Sequence, residues 1–183
     1  MHKTDSAISL ILTATAFAAE KHRHQRRKDA EASPYINHPI ALARVLSVEA
    51  GIDDPETICA ALLHDTIEDT DTTPAELRSV FGAAIAGIVA EVTDDKNLDK
   101  ADRKRLQIEH AAHISGKAKL VKLADKICNL RDVFASPPAD WSVARRLEYI
   151  DWAAAVVDGL RGTQPRLEEL FDALVAQRAT IAK

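Results

Sequence analysis

The chain is short of the residues that mark most specialised protein classes. It has two cysteines, Cys59 and Cys128, each set in an apolar helical pattern; they do not build a disulfide framework and read as buried free thiols, which suits a reducing cytoplasm. Six glycines and seven prolines in 183 residues are too few for a fibrous or disordered chain. Lysine and arginine total 24 against 28 acidic residues, a net charge of -4, so the broad positive field that general nucleic-acid binding needs is missing. No apolar run is long enough to span a bilayer: Ala7 to Ala19 is too short and is interrupted by Ser9, Thr13 and Thr15. That stretch opens on His2, Lys3 and Asp5 and continues without a break into Glu20 and a basic run, so it does not read as a signal peptide. Strand-like alternation, internal repeats and low-complexity segments are absent as well.

What is present is helical periodicity almost throughout. A first helix is predicted over 5–22, followed by the basic loop "RHQRRKDAEASP". Pro39 suits the first turn of a helix running to about Ala50 and biases the preceding His38 toward an extended conformation. Asp54-Pro55 repeats that start signal, and Thr73 with Glu76 forms a capping box for a further helix. Helices near 100–113, 117–135, 142–161 and 163–180 follow, the last two hinged at "RGTQPR". A hydrophobic fraction of 46% is enough to bury one core, so the expectation is a single all-α domain over 1–183, a bundle of about eight helices.

The charge that helices do not explain gathers in "AALLHDTIEDT", residues 60 to 70. Carboxylates are disfavoured at a helix C-terminus, and His64, Asp65, Glu68 and Asp69, at spacings of three and four, would share one side of a continuing helix. A divalent cation would offset their repulsion, and Asp and His are both competent ligands for one. The plain alternative is a solvated helix end followed by an acidic loop. Two further stretches favour the metal. In "SPYINHPIAL", His38 sits at a helix mouth, which favours the neutral imidazole, although it could be a simple cap. In "AKLVKLADKICNLRDV", Asp125 and Asn129 stand four apart beside a stripe of Leu120, Leu123, Ala124, Ile127 and Leu130. A carboxylate in that setting needs a partner, either a cation or a salt bridge to Lys122 or Lys126.

The blocks "YINHPI", "AALLHDTIEDT" and "KLVKLADKICNLRDV", with "HQRRKD", "EVTDDK" and "EYIDWAAAVVDGL", resemble the HD-domain alarmone hydrolases, the hydrolase half of the RelA and SpoT proteins, in their small single-domain form. The likeness runs from about residue 14 to 178, with no synthetase domain expected beside it. It implies His38, His64, Asp65 and Asp125 as ligands of Mn²⁺, where the donor set alone would also suit Fe²⁺, Co²⁺ or Zn²⁺. Glu68 and Asp69 match a pair that activates and orients the attacking water. Arg27, Lys28 and Asn129 match nucleotide contacts, and Lys100, Arg145 and Tyr149 look like further contacts to phosphate and sugar. The implied reaction is hydrolysis of the 3′-diphosphate of guanosine tetra- or pentaphosphate to pyrophosphate and GDP or GTP. The partner is thus a small nucleotide, not a nucleic acid or a membrane. Two alternatives stay open: action mainly on another nucleotide such as NADPH, at its 2′-phosphate, and a non-catalytic nucleotide sensor. His22, His24, His110 and His113 are expected to be solvated, and Trp141 and Trp152 to be packing residues.

Overall fold

The computed structural model describes residues 6–181, and among these it contains no β-strand. Start signals set most of the helices. Ser6, Asp54, Thr73, Asp99, Ser115 and Ser142 each accept a backbone N–H three residues on, and so satisfy an otherwise free donor of the first turn. They open α1 (Ala7–Lys21), α3 (Pro55–Leu63), α5 (Pro74–Val92), α6 (Lys100–Ala111), α7 (Gly116–Ala135) and α8 (Val143–Asp158). Also present are α2 (Asn37–Arg44), the single turn α4 (Thr66–Asp69) and α9 (Pro165–Val175). Eight longer helices and one short turn among the described residues agree with the expected all-α bundle. No helix among the described residues is long and apolar enough to cross a membrane.

Several boundaries differ from expectation for identifiable reasons. His38 is helical rather than extended, because Pro39 falls within the first turn of α2, where a missing N–H costs nothing. Past Arg44 the same helix widens into a π turn, Val45–Glu49. The helix expected over 163–180 stops at Val175, and a 3₁₀ turn, Arg178–Thr180, follows it. The capping box at Thr73 is half formed. Thr73 accepts from the Glu76 N–H, but the Glu76 carboxylate turns to Lys21 at 3.1 Å. The expected first helix begins partly outside the described residues.

Two helices organise the packing. α3 is buried at every position from Thr57 to Leu63 and lies against α1, α2, α5 and α7. α7 buries Val121, Leu123, Ala124, Ile127 and Leu130 and contacts α2, α3, α5, α8 and α9. Cys59 and Cys128 are free and buried, as expected. Because α2, the end of α3 and the middle of α7 meet on one side of the core, residues far apart in sequence share one place there.

The seam between α6 and α8 is tight where Gly159 caps α8. A Cβ there would sit 2.7 Å from the Ala111 Cβ and 3.1 Å from the Ala112 backbone nitrogen, neither of which is a flexible side-chain end. Gly159→Ala should therefore cost about 1–3 kcal/mol. Gly87→Ala, at a site inside α5 with nothing within 4 Å of the added carbon, should instead stabilise by about 0.4–1 kcal/mol. Thermal melts of the two variants check this, and equal melting temperatures would refute the crowded seam.

Candidate metal centre

α3 delivers His64 as its C-cap, and the chain then turns rather than continuing. Asp65 sits in that turn, and α4 starts afresh at Thr66. The single acidic face anticipated for His64 to Asp69 is thus divided: His64 and Asp65 point to one place, Glu68 and Asp69 to two others.

The first place is a cradle of imidazoles and carboxylates. One donor atom from each of His38, His64 and Asp65 lies within 4.8 Å of the others. Asp125, from the middle of α7, places Oδ1 3.2 Å from His38 Nε2 and 4.0 Å from His64 Nε2. The state of His64 is the most telling feature. Its Nδ1–H donates to the Ala61 carbonyl at 2.8 Å, so in the neutral ring the lone pair is on Nε2, and that buried nitrogen has no hydrogen-bond partner. Asp65 Oδ2 is 2.9 Å from it but outside hydrogen-bond geometry. Burial opposes a charge on the ring, yet the adjacent Asp65 and Asp125 carboxylates outweigh it and push the imidazole up to about 9. The cradle therefore demands positive charge, and its donors, two ring nitrogens and two carboxylates, fit a divalent transition metal.

Each carboxylate of the cradle is oriented from behind. The Tyr35 hydroxyl donates to Asp65, and the half-buried phenol is held well above its ordinary value by desolvation and that neighbouring charge, so it stays a donor. Asp125 Oδ1 accepts from Asn129 Nδ2 at 2.6 Å and Oδ2 from Lys126 Nζ at 3.1 Å. Burial would raise the Asp125 carboxyl, but Lys126 and His38 hold it well below the usual range. The salt bridge to Lys126 and a place among the cradle donors are thus compatible, one oxygen serving each.

Glu68 faces the loop between α5 and α6. Its Oε2 accepts the Asp94 backbone N–H at 3.4 Å, and Oε1 is 3.5 Å from an Arg103 guanidinium nitrogen. Burial and the charges of Asp65 and Asp94 push the Glu68 carboxyl up to about 7, where it can take up and release a proton near neutrality. Asp69 lies between that loop and the one after α1, accepting from Lys96 of the former and from Gln25 Nε2 of the latter at 2.8 Å.

Two adjoining cavities, about 350 Å³ and about 580 Å³, share Lys28, Trp141 and Tyr149 as walls. The smaller is bounded by Arg27, Asp69, Tyr35 and Asn129, the last two of which donate to the cradle carboxylates. The larger gathers Lys100, Arg103, Lys104 and Arg145 against Asp94 and Glu148, a local excess of positive charge on an acidic protein. Of the twelve residues singled out in the sequence, His38, His64, Asp65 and Asp125 meet in the cradle and Arg27, Lys28, Asp69, Lys100, Asn129, Arg145 and Tyr149 line the two cavities, whereas Glu68 lines neither and is reached through Asp94 and Arg103. Arg27 is held by Asp132 and lies 5.6 Å from the Tyr35 ring centroid.

Some residues were missed or misread. His22 is buried rather than solvated, its Nδ1 paired with Gln25 at 2.6 Å and its ring 4.8 Å from that of Tyr35. Trp141 is more than packing, since it walls both cavities beneath the Arg145 guanidinium, 4.7 Å from its ring. Tyr35 carried a signal, three residues before His38 and so one turn from it. Arg103, Gln25 and Lys96 carried none, being ordinary polar residues until the fold brings them to Glu68 and Asp69.

A family model described as HD domain matches residues 14–154. Guanosine-3′,5′-bis(diphosphate) 3′-pyrophosphohydrolase MESH1 of Danio rerio is 58% identical over 173 residues, covering 94% of this chain and 96% of its own. The Homo sapiens protein of the same name is 57% identical, with 94% and 97% covered. A solved structure of a metazoan ortholog of SpoT that hydrolyses ppGpp and plays a role in starvation responses superposes with a TM-score of 0.90, at 48% identity over 97% of this chain and 98% of that one.

The position of Glu68 has a consequence for stability. With a folded value near 7 against an ordinary 4.5, its proton is retained on folding at acid pH, and the bare buried charge opposes folding as pH rises through 7. In chelator-treated protein, Glu68→Gln should melt roughly 2–5 °C above the parent at pH 8, with the gap shrinking toward pH 5. Melting curves at the two pH values decide it; a variant no more stable at pH 8 would mean Glu68 is not strained.

Proposed function

The chain belongs to the HD-domain family, and from that premise we infer that it is a metal-dependent guanosine-3′,5′-bis(diphosphate) 3′-pyrophosphohydrolase. The observation that carries this reading is the orphaned, buried Nε2 of His64 facing the His38, Asp65 and Asp125 donors, beside a glutamate poised near 7. We assign His38, His64, Asp65 and Asp125 as the residues that hold the cation, with Mn²⁺ as its identity. Two imidazoles make Mg²⁺ a poor occupant, because it prefers oxygen ligands and keeps its waters. When bound, the metal lowers the pKa of a water molecule and polarises the 3′-phosphate.

The remaining chemistry falls to side chains of this chain. Glu68 accepts the proton of the attacking water, its elevated pKa matching the task near neutral pH. Asp69, fixed between Gln25 and Lys96, orients that water. Water attacks phosphorus, the bond from phosphorus to the ribose 3′ oxygen breaks, and the 3′ oxygen leaves with a proton as GDP or GTP departs from pyrophosphate. Arg27, already stacked near Tyr35, suits a purine face, while Lys28, Lys100 and Arg145 supply charge for the 5′-phosphates. Tyr149, between the two cavities, and Asn129, at the cradle end, take the sugar and the 3′-diphosphate.

Turnover of a panel containing ppGpp, pppGpp, the adenosine analogue of ppGpp and NADPH, with products identified, tests the reading. Chelation should abolish hydrolysis of the guanosine substrates, and Mn²⁺ should restore it better than Mg²⁺. Full activity in excess chelator would sink the metal-dependent mechanism, and selective turnover of NADPH would move the substrate assignment.

Glu68→Gln keeps the size and hydrogen-bonding reach of the side chain but removes the proton acceptor. Its kcat should fall by roughly 100-fold or more, while bound metal, measured by elemental analysis, stays stoichiometric. Near-normal turnover would remove Glu68 from the mechanism.

A further inference from the structure

Gln107, on α6, belongs to none of the roles assigned above, yet both ends of its amide are engaged. Its Nε2 donates to Asp94 Oδ2 at 2.5 Å, and its Oε1 accepts from Lys126 Nζ at 3.0 Å. Lys126 also donates to Asp125 Oδ2 at 3.1 Å, and the Asp94 backbone N–H reaches Glu68 Oε2 at 3.4 Å. A path of four hydrogen bonds, interrupted only by the covalent frames of Lys126, Gln107 and Asp94, therefore connects Asp125 to Glu68. The amide has one workable orientation. Reversing it would set its oxygen against the Asp94 carboxylate and its NH₂ against an ammonium.

Lys126 is 3% exposed and sits 4.4 Å from the Trp152 ring centroid, so Gln107 and Asp125 are the acceptors that place its charge. While Lys126 holds Oδ2, Asp125 keeps Oδ1 turned to the two histidines. At the other end, Asp94 holds the loop whose backbone N–H meets Glu68. A neutral group able to donate on one side and accept on the other meets both demands. Glutamate in its place would face a carboxylate, lysine would face an ammonium, and an apolar side chain would leave buried Lys126 and half-buried Asp94 each short of a partner.

We propose that Gln107 is a positioning residue, the bridge that fixes the metal-holding Asp125 and the proton-accepting Glu68 relative to each other. The proposal rests on the metal-dependent hydrolase reading for the roles of those two residues. Supporting contacts around metal ligands are worth about 10–100-fold in affinity or activity, and small misplacements of reacting groups cost as much.

The experiment compares Gln107→Leu, Gln107→Glu and the double variant Gln107→Glu with Asp94→Asn, measuring kcat on ppGpp, Mn²⁺ affinity by titration and melting temperature. Gln107→Leu should lower both kcat and Mn²⁺ affinity by about tenfold. Gln107→Glu, nearly the same size as the parent, should lose at least roughly tenfold in kcat. In the double variant the amide introduced by Asp94→Asn can donate to the new carboxylate, so most of that loss should return. Packing alone would leave the near-isosteric Gln107→Glu active and would give Asp94→Asn nothing to restore. Mn²⁺ affinity and kcat within about twofold of the parent in Gln107→Leu would overturn the proposal. So would a Gln107→Glu deficit that Asp94→Asn fails to repair in folded protein. Should Gln107→Glu fail to fold, Gln107→Leu, which adds no charge, decides alone. Should the parent itself not hydrolyse ppGpp, the functional reading falls, whereas the Mn²⁺ affinity of Gln107→Leu still tests the bridge.

Discussion

Two imidazoles and two carboxylates meet where α2, α3 and α7 converge, and burying them together is the constraint to which the surrounding structure answers. Isolated charges at that depth would be costly, so every face of the cluster is occupied by a specific partner. The Ala61 carbonyl fixes the tautomer of His64, Tyr35 holds Asp65, and Asn129 and Lys126 divide the oxygens of Asp125. After these partners are satisfied, one buried nitrogen, His64 Nε2, still lacks one. The apolar burial of α3 and α7 on their other sides gives this cluster a rigid mounting. A site so supported is organised before any substrate arrives, the condition under which electrostatic stabilisation costs no rearrangement during reaction.

Environment sorts carboxylates of nearly identical chemistry into different tasks. Asp65, Glu68 and Asp69 lie within one turn and a half of chain. Burial would raise Asp65, but the His64 and His38 imidazoles hold it far down. Glu68 has no imidazole beside it, and even with the Arg103 guanidinium at 3.5 Å, desolvation together with the negative charges around it carries it up toward 7. Asp69, with a glutamine on one oxygen and a lysine on the other, is pinned in orientation. The split between α3 and α4 makes this sorting possible, because one continuous helix would have presented all three to the same surroundings.

The cleft shows how an acidic protein accommodates a highly anionic ligand. Its net charge is -4, yet lysines and arginines from the loop after α1, from α6 and from α8 converge on one cavity wall, next to aromatic faces that offer stacking area. Tyr149 and Trp141 join the basic cavity to the one walled by Tyr35 and Asn129, the partners of the cradle carboxylates. The 5′-phosphates and the reacting 3′-diphosphate can therefore be held at opposite ends of one nucleotide, with the ribose between them and the base branching from it.

Much of this was determined by sequence alone. Helical periodicity, Asp54-Pro55, Thr73 and the hinge at "RGTQPR" specified where most helices start, because capping and φ restriction are local effects. The resemblance of the surrounding blocks implied His38, His64, Asp65 and Asp125 as one ligand set, whereas the residues by themselves required only that a carboxylate among leucines have a partner, cation or lysine. Tertiary structure decided the rest. It broke the helix between His64 and Thr66 and so separated Glu68 from Asp65 in environment, if not in sequence. It buried His22, which chain position marked as solvated, by setting Gln25 and Tyr35 against its ring. It also drew Gln25, Lys96, Arg103 and Gln107 to the carboxylates. Neutral and basic side chains of this kind carry no local signature, and their meaning comes only from which charged group the fold sets within hydrogen-bond distance.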